Sequence, residues 1–414
     1  MNSGYLSQYF EAVAAKKLST VEVNPAKSNQ HEFNGSKELK AVLRTTERTQ
    51  FPTKFMYLED QNAGLSEDGI VTWYDSRENQ PHRSAEFRLF YPGNGVMTLA
   101  KPGDTMFIAR RTDNTLLIII TPSDSTIERQ LHWLFDLENS QSGGYQLSEI
   151  DVSTELDFAA RFILEELEIE IEEPENDRID QLLSNINYQF PDTLTFSNFA
   201  RQSLAVPTNM IEEPDNGILL LMEWEEKLFK RLERYLVSKR LQEGFTTEGN
   251  EDVEGFLGFS LSVQNRRKSR AGAALENHLT YILTQNNIIF SRKAETENKA
   301  KPDFLFPNIE CYRNNSFPVE NLTLLGVKTS CKDRWRQVLS ESEKIKRKNL
   351  LTLEPGISEN QTNEMKAHAV ELVIPMKIHS SFSVSQRNEL LTLKDFIGVV
   401  SEKQKIVSQH GFLF

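Results

Sequence analysis

The residues best equipped for chemistry lie in the last third of the chain. Pro302-Asp303 opens the apolar run Phe304-Leu-Phe306, and Lys328 closes a second run, Leu324-Leu-Gly-Val327. A carboxylate and a lysine at the ends of neighbouring strands can bind a divalent ion and orient a water at a phosphate. In the usual acid-x-lysine arrangement the second carboxylate stands two residues before the lysine, but Gly326 occupies that place and has nothing to ligate with. A replacement acid is needed. Glu341, 13 residues beyond Lys328, and Glu276, on an earlier helical stretch, are the candidates. Hard oxygen ligands of this kind suit Mg2+. By spacing alone, each glutamate also fits an ordinary exposed helix position.

Lys332-Asp333-Arg334-Trp335-Arg336 follows the lysine strand directly. An arginine can donate twice to guanine O6 and N7 and an aspartate can accept from cytosine N4, so Asp333-Arg334 suits adjacent G·C pairs. The competing account is a helix start, with Asp333 near the cap and Arg334 and Arg336 in surface ion pairs of little energetic weight. Cys331 and Trp335 read as packing residues, because metal-assisted hydrolysis needs only water as its nucleophile.

These side chains require a sheet to carry them, and the last third alternates helix and strand. The periodicity predicts helices over Ala271 to Gln285 and Arg334 to Lys346, and strands over Asn287 to Phe290, Asp303 to Phe306, Leu322 to Lys328 and Ala369 to Pro375, an α/β pattern. A long helix is expected from Ile218 to Leu241, with Leu221, Leu228, Leu232 and Leu236 on one stripe and Gly244 ending it. The first third is β-rich. Phe55 to Leu58, Ile70 to Tyr74, Glu86 to Tyr91, Thr105 to Ala109 and Leu116 to Thr121 are short aromatic and β-branched runs separated by turn signals such as Asp68-Gly69 and Pro92-Gly-Asn-Gly95, which suggests a small barrel. A helical pattern over Thr126 to Leu137 closes that unit.

Composition narrows the class. At 414 residues two to four domains are expected, and 38% hydrophobic with 26% charged residues is a globular balance. No window holds the ~20 apolar residues that a bilayer span requires. Two cysteines, Cys311 and Cys331, exclude a disulfide framework and a zinc ribbon, and the N-terminus lacks a secretion signal, so a cytoplasmic location is expected. The net charge of −13 argues against a polyanionic partner only until it is resolved by position. Asp151 to Asp180 carries −10, whereas Leu261 to Leu350 carries +8, and a ligand meets the local field. The acidic stretch reads as a solvated helix face, with competition for a basic cleft as the alternative.

Several motifs together resemble the catalytic domain of EcoRII-type restriction endonucleases: Asn265-Arg-Arg-Lys-Ser-Arg-Ala-Gly272, Leu275-Glu-Asn-His-Leu279, Lys301-Pro-Asp-Phe-Leu-Phe-Pro307, Phe317-Pro-Val-Glu-Asn321 and Val327-Lys-Thr-Ser-Cys-Lys-Asp-Arg-Trp-Arg-Gln337. The similarity spans roughly residues 180 to 400. It implies a PD-(D/E)XK nuclease whose second carboxylate has moved to a helix, with Asp303 and Glu341 as Mg2+ ligands, Lys328 as the catalytic lysine and Glu276 as a supporting acid. It also implies Lys332, Asp333 and Arg334 as the base-reading segment, with Arg336, Arg266, Arg267 and Arg270 as further DNA contacts. The family cuts double-stranded DNA at CC/GG-based sites, of CCNGG or CCWGG type, and works as a homodimer, which fits a two-fold symmetric target. A cognate DNA methyltransferase belongs to such a system.

The expected organisation is α+β and multidomain. It comprises a β-rich, pseudobarrel-like domain over 1–145, an acidic helical linker over 146–180 and the nuclease domain over 181–414. By analogy the first domain binds a second DNA copy or regulates cleavage, through polar loop residues such as His31, Asn34, Arg77 and Arg83. The alternatives are an endonuclease whose barrel reads a modified base and a DNA-binding regulator with a silent nuclease fold.

Overall fold

The computed structural model describes residues 4–23, 31–60, 64–80, 82–138, 144–171, 177–184, 186, 188–205, 209–247 and 250–411. The chain divides into two compact units, 1–172 with 355–363, and 173–354 with 364–414. The architecture is α+β.

The first unit is built on eight strands: β1 (Phe10–Lys17), β2 (Glu32–Asn34), β3 (Thr49–Tyr57), β4 (Leu65–Asp75), β5 (Phe87–Phe90), β6 (Thr105–Arg111), β7 (Leu116–Thr121) and β8 (Gln146–Glu149). They pair in the order β2-β5-β4-β3-β7-β6-β1-β8, antiparallel throughout except for β3 with β7. Strand alternation explains the apolar run 116–120. Leu116, Ile118 and Ile120 join a cluster with Phe33, Phe55, Trp73 and Leu89, while Leu117 and Ile119 join another with Phe10, Phe107, Leu131 and Ile163. Both faces of β7 are therefore buried, which is why it reads as a continuous hydrophobic run. The pairing order has two ends, β2 and β8, so among the described residues the sheet is curled without being closed by strand pairing. Strand β1 escaped the sequence reading because Ala12, Ala14 and Ala15 lack the β-branched signature; at its position between β6 and β8, small residues fit.

The acidic stretch is not a free linker over its first part. Residues 146–149 form β8, and the helix Phe158–Glu166 buries Ala159, Ala160, Ile163 and Leu164 in the first unit's core. Leu167, Ile169 and Ile171 then alternate inward against exposed Glu168 and Glu170, and Glu168 pairs with Lys54 at 2.6 Å. This is the solvated face of a packed element. Residues 172–176 lie outside the described residues.

The second unit packs the helices Asp177–Ser184, Thr193–Ser203, Pro214–Glu243 and Val253–Gln285 around Leu183, Phe196, Trp224, Leu228 and Leu232. Pro214 opens the longest-predicted helix and Gly244, at φ 77°, ends it, a conformation that glycine adopts without strain. Two short strands, β9 (Thr246–Thr247) and β10 (Asn250–Glu251), pair antiparallel ahead of the helix Val253–Gln285. The sheet follows as β11 (Ser291–Arg292), β12 (Phe304–Phe306), β13 (Thr323–Lys328), β14 (Lys348–Thr352) and β15 (Val370–Val373), side by side in that order, with β13, β14 and β15 parallel.

Three expected elements differ, the first being the helix expected over Ala271 to Gln285, which begins at Val253. The strand expected at Asn287 to Phe290 is displaced to Ser291–Arg292, because the helix continues to Gln285 and its C-terminal turn uses the amides of Asn286 to Ile288. The helix expected over Arg334 to Lys346 is a 3-10 run, Lys332–Ser340, followed by irregular chain, where Ser342 and Glu343 bond to side chains from other segments instead of continuing a helix.

Candidate active site

Strand pairing positions Asp303. β12 and β13 run antiparallel with Phe304 opposite Leu325, so the residue before β12 falls beside the end of β13 that carries Lys328. Val327 N–H donates to Asp303 Oδ2 at 2.7 Å, and Lys328 Nζ donates to the same oxygen at 2.9 Å. A charged hydrogen bond on a largely buried carboxylate is of the strong kind.

Gly326 has a steric reason to be glycine. It shares a strand face with Lys328, so a side chain there would point toward the acid's usual place. A Cβ at 326 would lie 2.5 Å from Val338 Cγ2. Val338 fills that space, and three residues later the same 3-10 segment delivers Glu341, whose N–H donates to Val338 O at 3.2 Å. The segment that fills the usual acid's place thus also carries Glu341. Gly326→Ala is expected to lower unfolding free energy by about 1–3 kcal/mol through overpacking. In a Val338→Ala background the cost should shrink, and a double-mutant cycle in denaturant measures the coupling; additive losses would exclude the clash.

Glu341 Oε2 is buried without a hydrogen-bond partner. Burial first, and then the charge of Asp303, pushes its carboxyl up to about 7, against the pull of Lys328 and Lys348. Two converging carboxylates, one of them with an orphaned oxygen, fit a hard divalent cation. Among the described residues no group of three or more His, Cys, Asp and Glu side chains forms a closed metal cage. Two carboxylates instead suit an ion that keeps waters and shares a phosphate, as Mg2+ does.

Glu276, on the helix Val253–Gln285, lies at the other flank. Its Oε2 takes Arg292 Nη2 at 2.8 Å and Lys293 Nζ at 2.9 Å, and the Lys293 N–H donates to Pro302 O at 3.1 Å, beside Asp303. The structure thus brings Asp303, Lys328 and Glu341 together and places Glu276 next to them through Lys293.

The remaining predicted residues divide. Cys331 is fully buried, its thiol pushed well up by burial, and its N–H is held by the buried Glu354 carboxylate. Trp335 is core. Arg334 is exposed, Arg336 pairs with Glu364 at 2.8 and 3.0 Å, and the side chains of Lys332 and Asp333 lie outside the described residues. Arg266 is exposed and stacks on Phe190, its guanidinium 4.5 Å from the ring.

Of the two other arginines of this run, Arg267 keeps a largely exposed side chain, whereas Arg270 is buried. Arg267 Nε donates to the buried Glu233 at 2.6 Å. Arg270, only 5% exposed, lies over Phe229 and pairs with Glu225 and Glu226. Both arginines tie one long helix to the other. The pairing was hidden because the partners sit some 35 to 45 residues earlier in the chain, on Pro214–Glu243. The same interface holds a buried network that sequence reasoning missed. His278 Nε2 meets Glu225 Oε2 at 2.9 Å and its Nδ1 meets Arg201 at 3.1 Å, and burial lowers the imidazole's pKa.

In the first unit, Arg77 pairs with Glu86 and donates to Ser84 O at 3.2 Å, Arg83 donates to Gln80 at 3.1 Å, and Asn34 accepts from Arg88. His31, at φ 47°, packs on Tyr91. These residues brace turns and strand ends of the first unit.

Residues 229–397 match the family model described as EcoRII C terminal. Over 186 residues the chain is 42% identical to the type II restriction enzyme EcoRII of Escherichia coli, a match covering 45% of this chain and 45% of that enzyme. The chain therefore spans less than half the length of that curated relative. Among solved structures it is similar to metal-depleted Ecl18kI in complex with uncleaved, modified DNA (TM-score 0.45, 19% identity, 56% of this chain and 84% of that one). It is also similar to a restriction endonuclease PspGI–substrate DNA complex (TM-score 0.36, 15% identity, 56% and 93%).

Proposed function

We propose, from the premise that residues 229–397 form an EcoRII C-terminal domain, that the chain is a Mg2+-dependent type II restriction endonuclease hydrolysing double-stranded DNA at a CC/GG-based site. The observation that carries this reading is the convergence of Asp303, Lys328 and Glu341 at one end of β13, with Glu341 Oε2 buried and unpartnered.

Asp303 and Glu341 would hold the cation, which when bound lowers the pKa of a water and offsets charge at the phosphate. Asp303 also holds Lys328 Nζ, which fixes an ammonium where an attacking water or a phosphate oxygen can accept from it. Glu276 keeps Arg292 and Lys293 in place beside Asp303. The segment from Lys332 to Arg334 would read the outer G·C pairs, and a homodimer would match the symmetry of the site. The first unit would bind a second DNA copy or regulate cleavage, and a cognate methyltransferase would protect the host site. Within the described residues no helix is long and apolar enough to cross a membrane.

The test is to digest matched methylated and unmethylated genomic DNA with the full chain and Mg2+, and to sequence the ends. Ends sharing a CC/GG-based site support the reading. Absence of product on every DNA sinks it, and product from modified DNA alone moves it to the modification-dependent class.

A further inference from the structure

The loop 292–301 touches each of the three acids of the candidate site. At its start, Arg292 and Lys293 pair with Glu276, and the Lys293 N–H bonds Pro302 O, next to Asp303. In its middle, Thr296 Oγ1 donates to the backbone carbonyl of Glu341 at 2.7 Å, while Thr296 N–H closes the loop on Ala300 O at 2.9 Å. Around that bond the same loop grips the neighbours of Glu341. Asn298 Nδ2 donates to Glu343 Oε1 at 3.0 Å, and Glu297 Oε2 accepts from Tyr312 Oη at 2.5 Å, which also bonds Ser342 Oγ at 2.7 Å.

The loop's backbone is unusual. Lys293, Asn298 and Lys299 lie at φ 48°, 56° and 62°, the left-handed region that side-chain-bearing residues avoid. Such conformations persist where surrounding contacts over-determine them, and they concentrate at functional sites. Among them, Lys293 is held by Glu276 and Asn298 by Glu343. Glu341 itself sits on irregular chain after a 3-10 run, so no regular helix or strand fixes its carboxylate relative to Asp303.

We propose that Thr296 is a positioning residue whose hydroxyl, by holding the Glu341 carbonyl to the loop that leads into Asp303, sets the spacing of the two carboxylates for a divalent cation. The inference rests on the metal-site reading above.

The test uses the full-length chain in four forms: wild type, Thr296→Val, Thr296→Ser and Asp303→Ala. Amide hydrogen exchange without metal reads the clasp itself. Thr296→Val should speed exchange across 341–345 about tenfold and leave 324–327 unchanged, with Thr296→Ser near wild type. Manganese binding, followed by electron paramagnetic resonance, reads the consequence. Loss of an outer-sphere partner typically weakens metal binding 10–100-fold, and Thr296→Val should fall by about tenfold with recovery in Thr296→Ser. Unchanged exchange in Thr296→Val overturns the clasp. Faster exchange with unaltered manganese affinity, while Asp303→Ala has lost it, leaves Thr296 structural and overturns the positioning role. If Asp303→Ala binds manganese as wild type does, the metal site itself is misplaced and this inference falls with it.

Discussion

Lys328→Ala should lower single-turnover cleavage of a cognate duplex by on the order of 10²–10³-fold, the loss seen when one preorganised donor to a developing charge is removed. Binding of the same duplex, measured without Mg2+ by gel shift, should stay within a few-fold. The two effects separate because Lys328 meets Asp303 at one strand end, whereas the proposed base-reading segment lies beyond it in the 3-10 run. Removing the lysine leaves Asp303 Oδ2 bonded to Val327 N–H, so the strand end retains its geometry. A variant that cuts at the wild-type rate would remove Lys328 from the chemistry. Loss of binding in proportion to cleavage would show that it serves DNA affinity instead.

Glu341→Gln should abolish cleavage and yet make the metal-free protein more stable at pH 8. The carboxyl's folded value of about 7 lies above its ordinary 4.5. Between those values the folded state binds more protons than the unfolded one, so wild-type stability falls as pH rises from 4.5 to 7 and the penalty is complete above 7. At 1.36 kcal/mol per unit the penalty has an upper bound of about 3 kcal/mol. The neutral amide does not incur it. Urea titrations at pH 4 and pH 8 measure the effect: the variant should gain about 2–3 kcal/mol over wild type at pH 8 and almost nothing at pH 4. Added Mg2+ should stabilise wild type and not Glu341→Gln, since a ligand stabilises only the state that binds it. A variant no more stable than wild type at pH 8 would mean that Glu341 carries no buried, destabilising charge there.

Much of this site was legible in the chain because its members are local to predictable strands. Pro302-Asp303 and Lys328 flank short apolar runs, and an apolar run bounded by turn residues is a strong strand signal. Gly326 was informative by its lack of a side chain, which left Glu341 and Glu276 as candidate replacement acids, the resemblance alone favouring Glu341. Its conformation was not legible, since the periodicity of residues 334–346 fits a helix, whereas bonds from Thr296, Tyr312 and Glu297 hold the chain irregular there. The burial of Arg270 was not legible for a related reason. A sequence gives the charge of an arginine but not its partner, and Glu225 and Glu233 lie on another helix that packs against it.

The amino-acid sequence by itself determined the strands flanked by Asp303 and Lys328, the absence of an acid at 326, the basic character of residues 261–350 and the chain's resemblance to one nuclease family. These follow from short-range properties, residue type and spacing, that the chain carries wherever it folds. Only the tertiary structure decided that Val338 fills the place of the missing acid, that Glu341 Oε2 is left buried beside Asp303, that one loop touches all three acids, and that Arg270 is buried in an ion pair. Each of these depends on desolvation or contact between segments distant in sequence, and burial, not residue type, sets whether a charge meets solvent, a ligand or a partner.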